Sequence, residues 1–212
     1  MRLDHVSYAA EPDGLLATAG RLAAVIGVEP VDGGIHPRFG TRNVLFPLAG
    51  GHYVDVIEVL DHPVADKAAF GRAVRARSEL GGGWLGWAVA VDDLSPVEAR
   101  LGREAVPGNR RRPDGVELRW HQIGVNGLIA DPQLPFFTRW DVGPERHPSA
   151  GSHTAVSLGG LRIAGSADRL CSWLGEPADH PLDAVDVEWV APHGTPGLLA
   201  VCFDTPAGRI EY

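Results

Sequence analysis

The chain has 212 residues, of which 44% are hydrophobic and 22% are charged, and this length suffices to bury an apolar core. Its formal net charge of -8 excludes the basic surface that nucleic-acid phosphates reward. The N-terminus lacks the features of a secretory signal, and no apolar run approaches the roughly 18 residues of a membrane span. These properties predict a globular, cytoplasmic protein that binds neither nucleic acid nor a membrane.

The first sixty residues predict a strand, a helix and three further strands. Residues 2–9 alternate as a strand does. Apolar residues at helical spacing then run from Leu15 to Ile26, and Gly27 ends this helix. An extended stretch follows, and two hairpin strands over residues 41–48 and 53–60 complete the unit.

The same order of elements returns twice. A strand over 84–91 and a helix over 95–101 open a second cycle, and a strand followed by a helix that Ser166 caps opens a third. The predicted segments are a first βαβββ unit over 1–62, a helical connection and glycine joint over 63–83, a second βαβββ unit over 84–141, a linker over 142–152 and a third βαβββ-like unit over 153–212.

This repeat predicts the fold class. One helix for three strands argues against a doubly wound sheet and favours an α+β fold built from repeated βαβββ units. Each unit should form a curved mixed sheet, and two sheets that face each other would enclose a cleft for a small-molecule ligand. Which units pair is left open. An odd number of units leaves one sheet uncovered, which also predicts a homodimer.

Two residues of the first unit are candidates for chemistry. His5 lies in the first strand, where alternation places it on one face with Leu3 and Ser7. Glu58 lies in the last strand, on a face with two valines, where a carboxylate needs a partner unless it is exposed. That partner is either a metal or His5, and a His5–Glu58 pair would act as a general base.

Further candidates lie in turns and in later strands. His36 precedes a proline and is held extended, so it either stabilises the next turn or acts in the pocket. Arg112 or Arg119 would bind a carboxylate group of a ligand. The candidate substrate-binding residues are Asn43, Arg112, Arg119, Trp120 and Trp140. By contrast, His52, His62, His180 and His193 fall in turns and are assigned no role.

Five groups of residues stand out along the chain. They are Leu3-Asp4-His5-Val6; Gly34-Ile35-His36-Pro37 with Gly40-Thr41-Arg42-Asn43; Tyr53-Val54-Asp55-Val56-Ile57-Glu58; Arg112-Pro113-Asp114-Gly115 with Leu118 and Trp120; and Leu134-Pro135-Phe136-Phe137 with Trp140. These groups resemble the glyoxalase-like domain family of the vicinal oxygen chelate superfamily, and they extend from residue 3 to about residue 148.

The resemblance implies a cupped sheet that holds a divalent metal. A histidine from the first strand and a glutamate from the last strand of a unit would be ligands, which points to His5 and Glu58, and Glu211 stands where Glu58 does in the third unit. Such a site suits Zn, Mn, Fe or Ni and leaves positions open for substrate. Glu58 or His36 would then move a proton.

Two functional hypotheses follow. The first is a glyoxalase-like, metal-dependent enzyme acting on an oxygen-bearing metabolite, with isomerase, lyase and dioxygenase chemistry left undecided. The second is a metal-free protein of the same fold that binds or sequesters a small molecule. The second hypothesis explains why Trp87 and Leu158, which cannot bind a metal, occupy the positions equivalent to His5 in the later units.

Overall fold

The computed structural model describes residues 1–177, 182–191 and 193–212. His180 therefore lies outside the described residues. The strands are β1 (Arg2–Ala9), β2 (Val31–His36), β3 (Thr41–Pro47), β4 (Tyr53–Val59), β5 (Gly83–Ala90), β6 (Val106–Arg111), β7 (Glu117–Ile123), β8 (Phe136–Trp140), β9 (Ser157–Ala164), β10 (Asp186–Val190), β11 (Gly197–Thr205) and β12 (Gly208–Glu211). The helices are α1 (Leu15–Ile26), α2 (Pro63–Lys67), α3 (Ala69–Glu79), α4 (Ser95–Leu101) and α5 (Ala167–Leu174).

The first eight strands close into a barrel in the order β1-β4-β3-β2-β6-β7-β8-β5. Each of the first two βαβββ cycles supplies one half, and within each half the first strand pairs in parallel with the last. Antiparallel pairing of β1 with β5 joins the halves on one side, and a contact between Ile35 and Arg111 joins them on the other. The first and second cycles therefore enclose the cleft, and the predicted α+β class with repeated βαβββ order is confirmed.

The third cycle forms a separate sheet in the order β10-β9-β11-β12. Its apolar side chains pack against the outside of the barrel around β5, where Trp87 and Val89 meet Leu161 and Val201 in one core. The barrel covers this sheet, so the argument for a dimer from an uncovered sheet does not apply. The homodimer stays a prediction, as do the segment boundaries.

Helices cover part of the barrel wall, so that β1 and β4 are buried on both faces. Helix α1 places Leu15, Ala19, Leu22 and Ile26 in the core outside the barrel, and Gly27 ends it with a left-handed conformation (φ 69°). Helix α3 contacts β1, β4 and β5, and Phe70 from this helix joins the apolar cluster of the barrel interior. No helix in the described part of the chain combines the length and apolar character of a membrane span.

Candidate functional site

A small, partly open cavity of about 30 Å³ lies inside the barrel. Five Phe and Trp side chains line it: Phe39, Phe70, Trp120, Phe136 and Trp140. The polar lining comes from both halves of the barrel and consists of His5, His36, Tyr53, Asp55, Arg110, Gln122 and Thr138. A concave, mostly aromatic site with a few converging polar groups is typical of small-molecule binding.

A β-bulge in β1 brings an aspartate beside the cavity histidine. In the pairing with β5, Leu3 lies opposite Val89 and His5 opposite Ala88, so Asp4 is an extra residue. The Asp4 Oδ2 atom lies 2.9 Å from Nδ1 of His5. The bulge also breaks the alternation, because Leu3 packs in the core outside the barrel while His5 lines the cavity. The prediction that both share one face is wrong for this reason.

The Asp4 carboxylate is fully buried and is held from several directions. Nε1 of Trp140 donates to Oδ2 at 3.2 Å, Nε2 of His147 lies 3.1 Å from Oδ1, and the Arg2 guanidinium lies 3.2 Å from Oδ1. Burial alone would raise the pKa of Asp4, but the hydrogen bonds with His147 and His5 outweigh it and hold the pKa well below its usual range. Asp4 is therefore an anion at neutral pH.

This anion fixes the tautomer of His5. A carboxylate only accepts hydrogen bonds, so His5 Nδ1 carries the proton and donates it. The second nitrogen, Nε2, then has a free lone pair, and it has no hydrogen-bond partner among the described residues. The His5 ring stacks on Tyr53 at 4.5 Å and meets the edge of Phe136 at 5.4 Å, which holds it in position.

His36 also lines the cavity. Its Nδ1 lies 3.0 Å from the Thr41 hydroxyl. Burial, together with the positive charge of Arg110, lowers the pKa of His36 to about 3. His36 is thus a neutral imidazole at physiological pH, suited to hydrogen bonding rather than to carrying charge.

Asp55 is a second buried carboxylate of the cavity. Asn43 donates to its Oδ1 at 2.7 Å, so the predicted substrate-binding residue Asn43 instead holds this carboxylate. Burial raises the pKa of Asp55, although His5, Asn43 and Arg110 oppose this effect. Asp55 belongs to the same strand as Glu58 but lies on the inner face of the wall.

The second half of the barrel contributes hydrogen-bond donors. Trp120 Nε1 donates to Oε1 of Gln122 at 2.8 Å, which turns the Gln122 amide nitrogen away from the indole, and that nitrogen has no partner within the described chain. Arg110 lines the cavity and is only 3% exposed. Gly108 lies opposite Trp120 in the pairing of β6 with β7, where any side chain would collide with the indole.

The structure does not bring Glu58 to His5. Glu58 lies on the outer face of the barrel, where Arg42 Nε donates to Oε2 at 2.7 Å. Its other oxygen accepts from the backbone N–H of Leu15 at 3.2 Å, at the start of α1, whose N-cap Gly14 has no side chain to do so. Glu58 therefore serves as a helix cap and not as a ligand or base in the cavity.

The other predicted residues divide between the cavity and the surface. Trp120 and Trp140 line the cavity. Glu211 lies on the edge strand of the second sheet, 3.8 Å from Arg162, and is far from His5 in the fold. Arg112 pairs with Asp114 and Arg119 with Glu117, both at the surface. Strand alternation places Arg119 outside because its neighbour Trp120 points inward.

The side chains in the barrel do not fit the implied metal. Asp55, the carboxylate among the cavity-lining residues, is held by Asn43, and the buried positive charge of Arg110 lies beside it and would repel a cation. Nowhere in the described residues do three or more His, Cys, Asp or Glu side chains form a group that would hold a metal ion. The predicted set of His5, Glu58 and Glu211 is not formed, since the three lie inside the barrel, outside it and in the second sheet.

The sequence assigned no role to Arg110 or Asp4, and it left His147, in the predicted linker, as a minor candidate. Arg110 belongs to a run of three arginines that resembles a solvated strand edge. Gly108 and Arg110 lie on the same face of β6, opposite Trp120 and Leu118 of β7. Because Trp120 points inward, strand alternation could have placed Arg110 inward as well. The contacts of Asp4 depend on a β-bulge, which no local sequence pattern predicts. His147 reaches Asp4 because the linker, 143 residues later in the chain, folds back over β1.

Comparisons with known proteins agree with this architecture. The family model described as "Glyoxalase-like domain" matches residues 3–178. A hypothetical protein from Staphylococcus aureus has a similar fold, with a TM-score of 0.65, 15% identity, and coverage of 95% of this chain and 90% of that one. Methylmalonyl-CoA epimerase from Mycobacterium tuberculosis aligns with a TM-score of 0.44 and 18% identity, over 68% of this chain and 89% of that one.

A comparison with curated protein sequences finds no match. The family model covers well over half of the chain, including the whole barrel, and it agrees with the motifs on which the sequence resemblance rests. The chain belongs to the glyoxalase-like domain family.

Proposed function

We propose that this protein is an enzyme that moves a proton on a small carbonyl compound, with His5 as the general base and without a metal. The observation that carries the proposal is the Asp4–His5 pair: a buried carboxylate holds Nδ1, and a free Nε2 is left on a ring that lines a cavity. A histidine oriented by a carboxylate is an established arrangement for proton transfer.

The proposed step takes a proton from the carbon next to a carbonyl group. The Nε2 lone pair accepts this proton, the C–H electron pair becomes the π bond of an enolate, and His5 becomes an imidazolium paired with Asp4. The free amide N–H groups of Gln122 would stabilise the enolate oxygen. Neutral His36 would do so in the tautomer in which Nδ1 accepts from the Thr41 hydroxyl and Nε2 carries the proton. Return of the proton to the other face or to another atom completes an isomerisation and regenerates the enzyme.

The test is hydrogen–deuterium exchange in heavy water, followed by NMR, with pyruvate, 2-oxobutyrate and phenylpyruvate. We expect the protein to accelerate exchange next to the carbonyl of at least one of them beyond the buffer rate. His5→Gln should lower this rate by about 10²- to 10⁴-fold, the usual contribution of a general base. His121→Gln is the matched control, because His121 pairs with Asp141 outside the barrel.

The same assay separates the proposal from metal catalysis. Treatment with a chelator should leave the exchange rate unchanged. The proposal would be contradicted if the His5→Gln variant catalysed exchange at the rate of the unmodified protein. It would also be contradicted if the exchange rate depended on added Zn, Mn, Fe or Ni. Binding without exchange by any of the three compounds would also contradict it.

That last outcome would support the second candidate, a metal-free protein that sequesters a small molecule. The five aromatic side chains around the cavity favour this candidate, since they would hold a flat ligand without any reaction. The cytoplasmic location stays a prediction from the sequence.

A further inference from the structure

Arg110 is a buried cation without a bonded partner. Arg110 is only 3% exposed, and its Nε atom is buried without a hydrogen-bond acceptor. The guanidinium makes neither a hydrogen bond nor an ion pair with any described residue. A buried arginine normally has both, because an uncompensated charge in the interior is costly.

The nearest negative group does not fill this role. Asp55 attracts Arg110 electrostatically, but its carboxylate is bonded to Asn43 Nδ2 at 2.7 Å and not to the guanidinium. The N–H groups of Arg110 therefore remain available to something that enters the cavity. A guanidinium presents its donors as a planar fork that matches the two oxygens of a carboxylate.

The rest of the lining restricts what is attached to that carboxylate. Trp120 contacts Phe39, His36 and Trp140 with ring centroids 5.3 to 6.2 Å apart, so the wall beside Arg110 is continuous and aromatic. Flat apolar groups pack well against such rings. Arg110 also borders a groove under the linker around His147, through which a small molecule would reach it.

We propose that Arg110 binds the carboxylate group of a small substrate whose remaining part is flat and apolar. This inference names the substrate class of the proposed function and rests on that function for the reaction. The binding of a carboxylate by Arg110 does not depend on His5. It gives a reason for the buried charge that no contact within the described chain supplies.

The test is titration calorimetry with benzoate and with benzamide, which has nearly the same shape but no charge. We expect benzoate to bind at least tenfold more tightly than benzamide. Arg110→Gln should remove that preference, and Arg110→Lys, which keeps the charge without the fork, should give an intermediate affinity. Arg169→Gln is the matched control, since Arg169 is exposed, pairs with Asp131 and does not line the cavity.

Equal binding of benzoate and benzamide, or an unchanged preference in Arg110→Gln, would overturn the inference. Thermal unfolding of each variant shows whether it is folded, and Arg110→Lys keeps the test decisive if Arg110→Gln is not. Failure here is distinguishable from failure of the proposed function. Benzoate binding that depends on Arg110, together with exchange that is independent of His5, would remove the reaction and keep the anion site.

Discussion

Asp55 and Glu58 are carboxylates of one strand that lie on opposite faces of the barrel wall. Asp55 faces the cavity with His5 and Arg110, whereas Glu58 faces outward, where it caps α1 and pairs with Arg42. Both faces of β4 are lined with buried side chains, because α1 covers the outside. Asp55 is buried whereas Glu58 is partly exposed, so the face of the wall separates a carboxylate that lines the cavity from one that supports the fold.

The largest expected effect follows from replacing Asp4 on the inner face. In Asp4→Asn the Asn side chain no longer fixes the tautomer of His5 and no longer stabilises its imidazolium. We expect the rate of deuterium exchange to fall by about 10³- to 10⁴-fold, as when the orienting carboxylate of a catalytic histidine is lost. A rate within threefold of the unmodified protein would show, on the same reasoning, that Asp4 only supports the fold.

His36 should make stability depend on pH. Its pKa is about 3 in the folded protein, mainly because of burial, and has its ordinary value near 6.5 when unfolded. The unfolded chain thus binds more protons in this range, and the free energy of unfolding should fall as the pH drops from 6.5 towards 3.

This one group contributes at most about 1.4 kcal/mol per pH unit. Urea unfolding at several pH values measures the slope. His36→Gln should have a shallower slope, and the difference between the two proteins isolates His36 from the other titrating groups. Identical slopes would contradict the neutral, buried state of this histidine.

Replacement of Asp55 should have a smaller effect, and the effect should be a gain in ligand affinity rather than a loss. Removal of its negative charge in Asp55→Asn should strengthen the attraction of Arg110 for an anion, so that benzoate binds a few-fold more tightly in calorimetry. The amide of Asn43 can turn to accommodate the change, because its Oδ1 has no partner. Weaker binding would place Asp55 among the groups that hold the ligand.

The smallest effect is expected on the outer face. Glu58→Gln should leave the exchange rate unchanged and lower the free energy of unfolding by no more than about 1 kcal/mol, the scale of a partly exposed ion pair and a helix-end charge. Exchange and urea unfolding measure the two quantities. A large loss of exchange would restore Glu58 to the site and reverse the assignment of faces.

The sequence predicted the fold better than the site. Helix α1, its end at Gly27 and the repeated order of strands follow from local patterns of apolar residues and glycines. Alternation placed Arg119 on the face opposite to Trp120. It could not say which face of a strand is the inside, and Glu58 was chosen because the resemblance implies a glutamate in the last strand of a unit.

Other features depend on distant contacts. The bulge at Asp4 exists only in the pairing with β5, and the linker supplies His147 only after the chain has closed the barrel. Arg110 is set apart from the neighbouring arginines by its register with Leu118. Local sequence patterns give the alternation within β6 but reveal neither the bulge at Asp4 nor the contact with the linker.

The state of His5 tests the account most directly. A long-range proton–nitrogen NMR spectrum of protein with 15N-labelled histidine reports which ring nitrogen carries the proton, and the spectrum of His5→Gln assigns the signal. We predict that the neutral ring of His5 carries its proton on Nδ1 and that Asp4→Asn removes this preference. A proton on Nε2 in the unmodified protein would contradict the role of His5 as the base of the cavity.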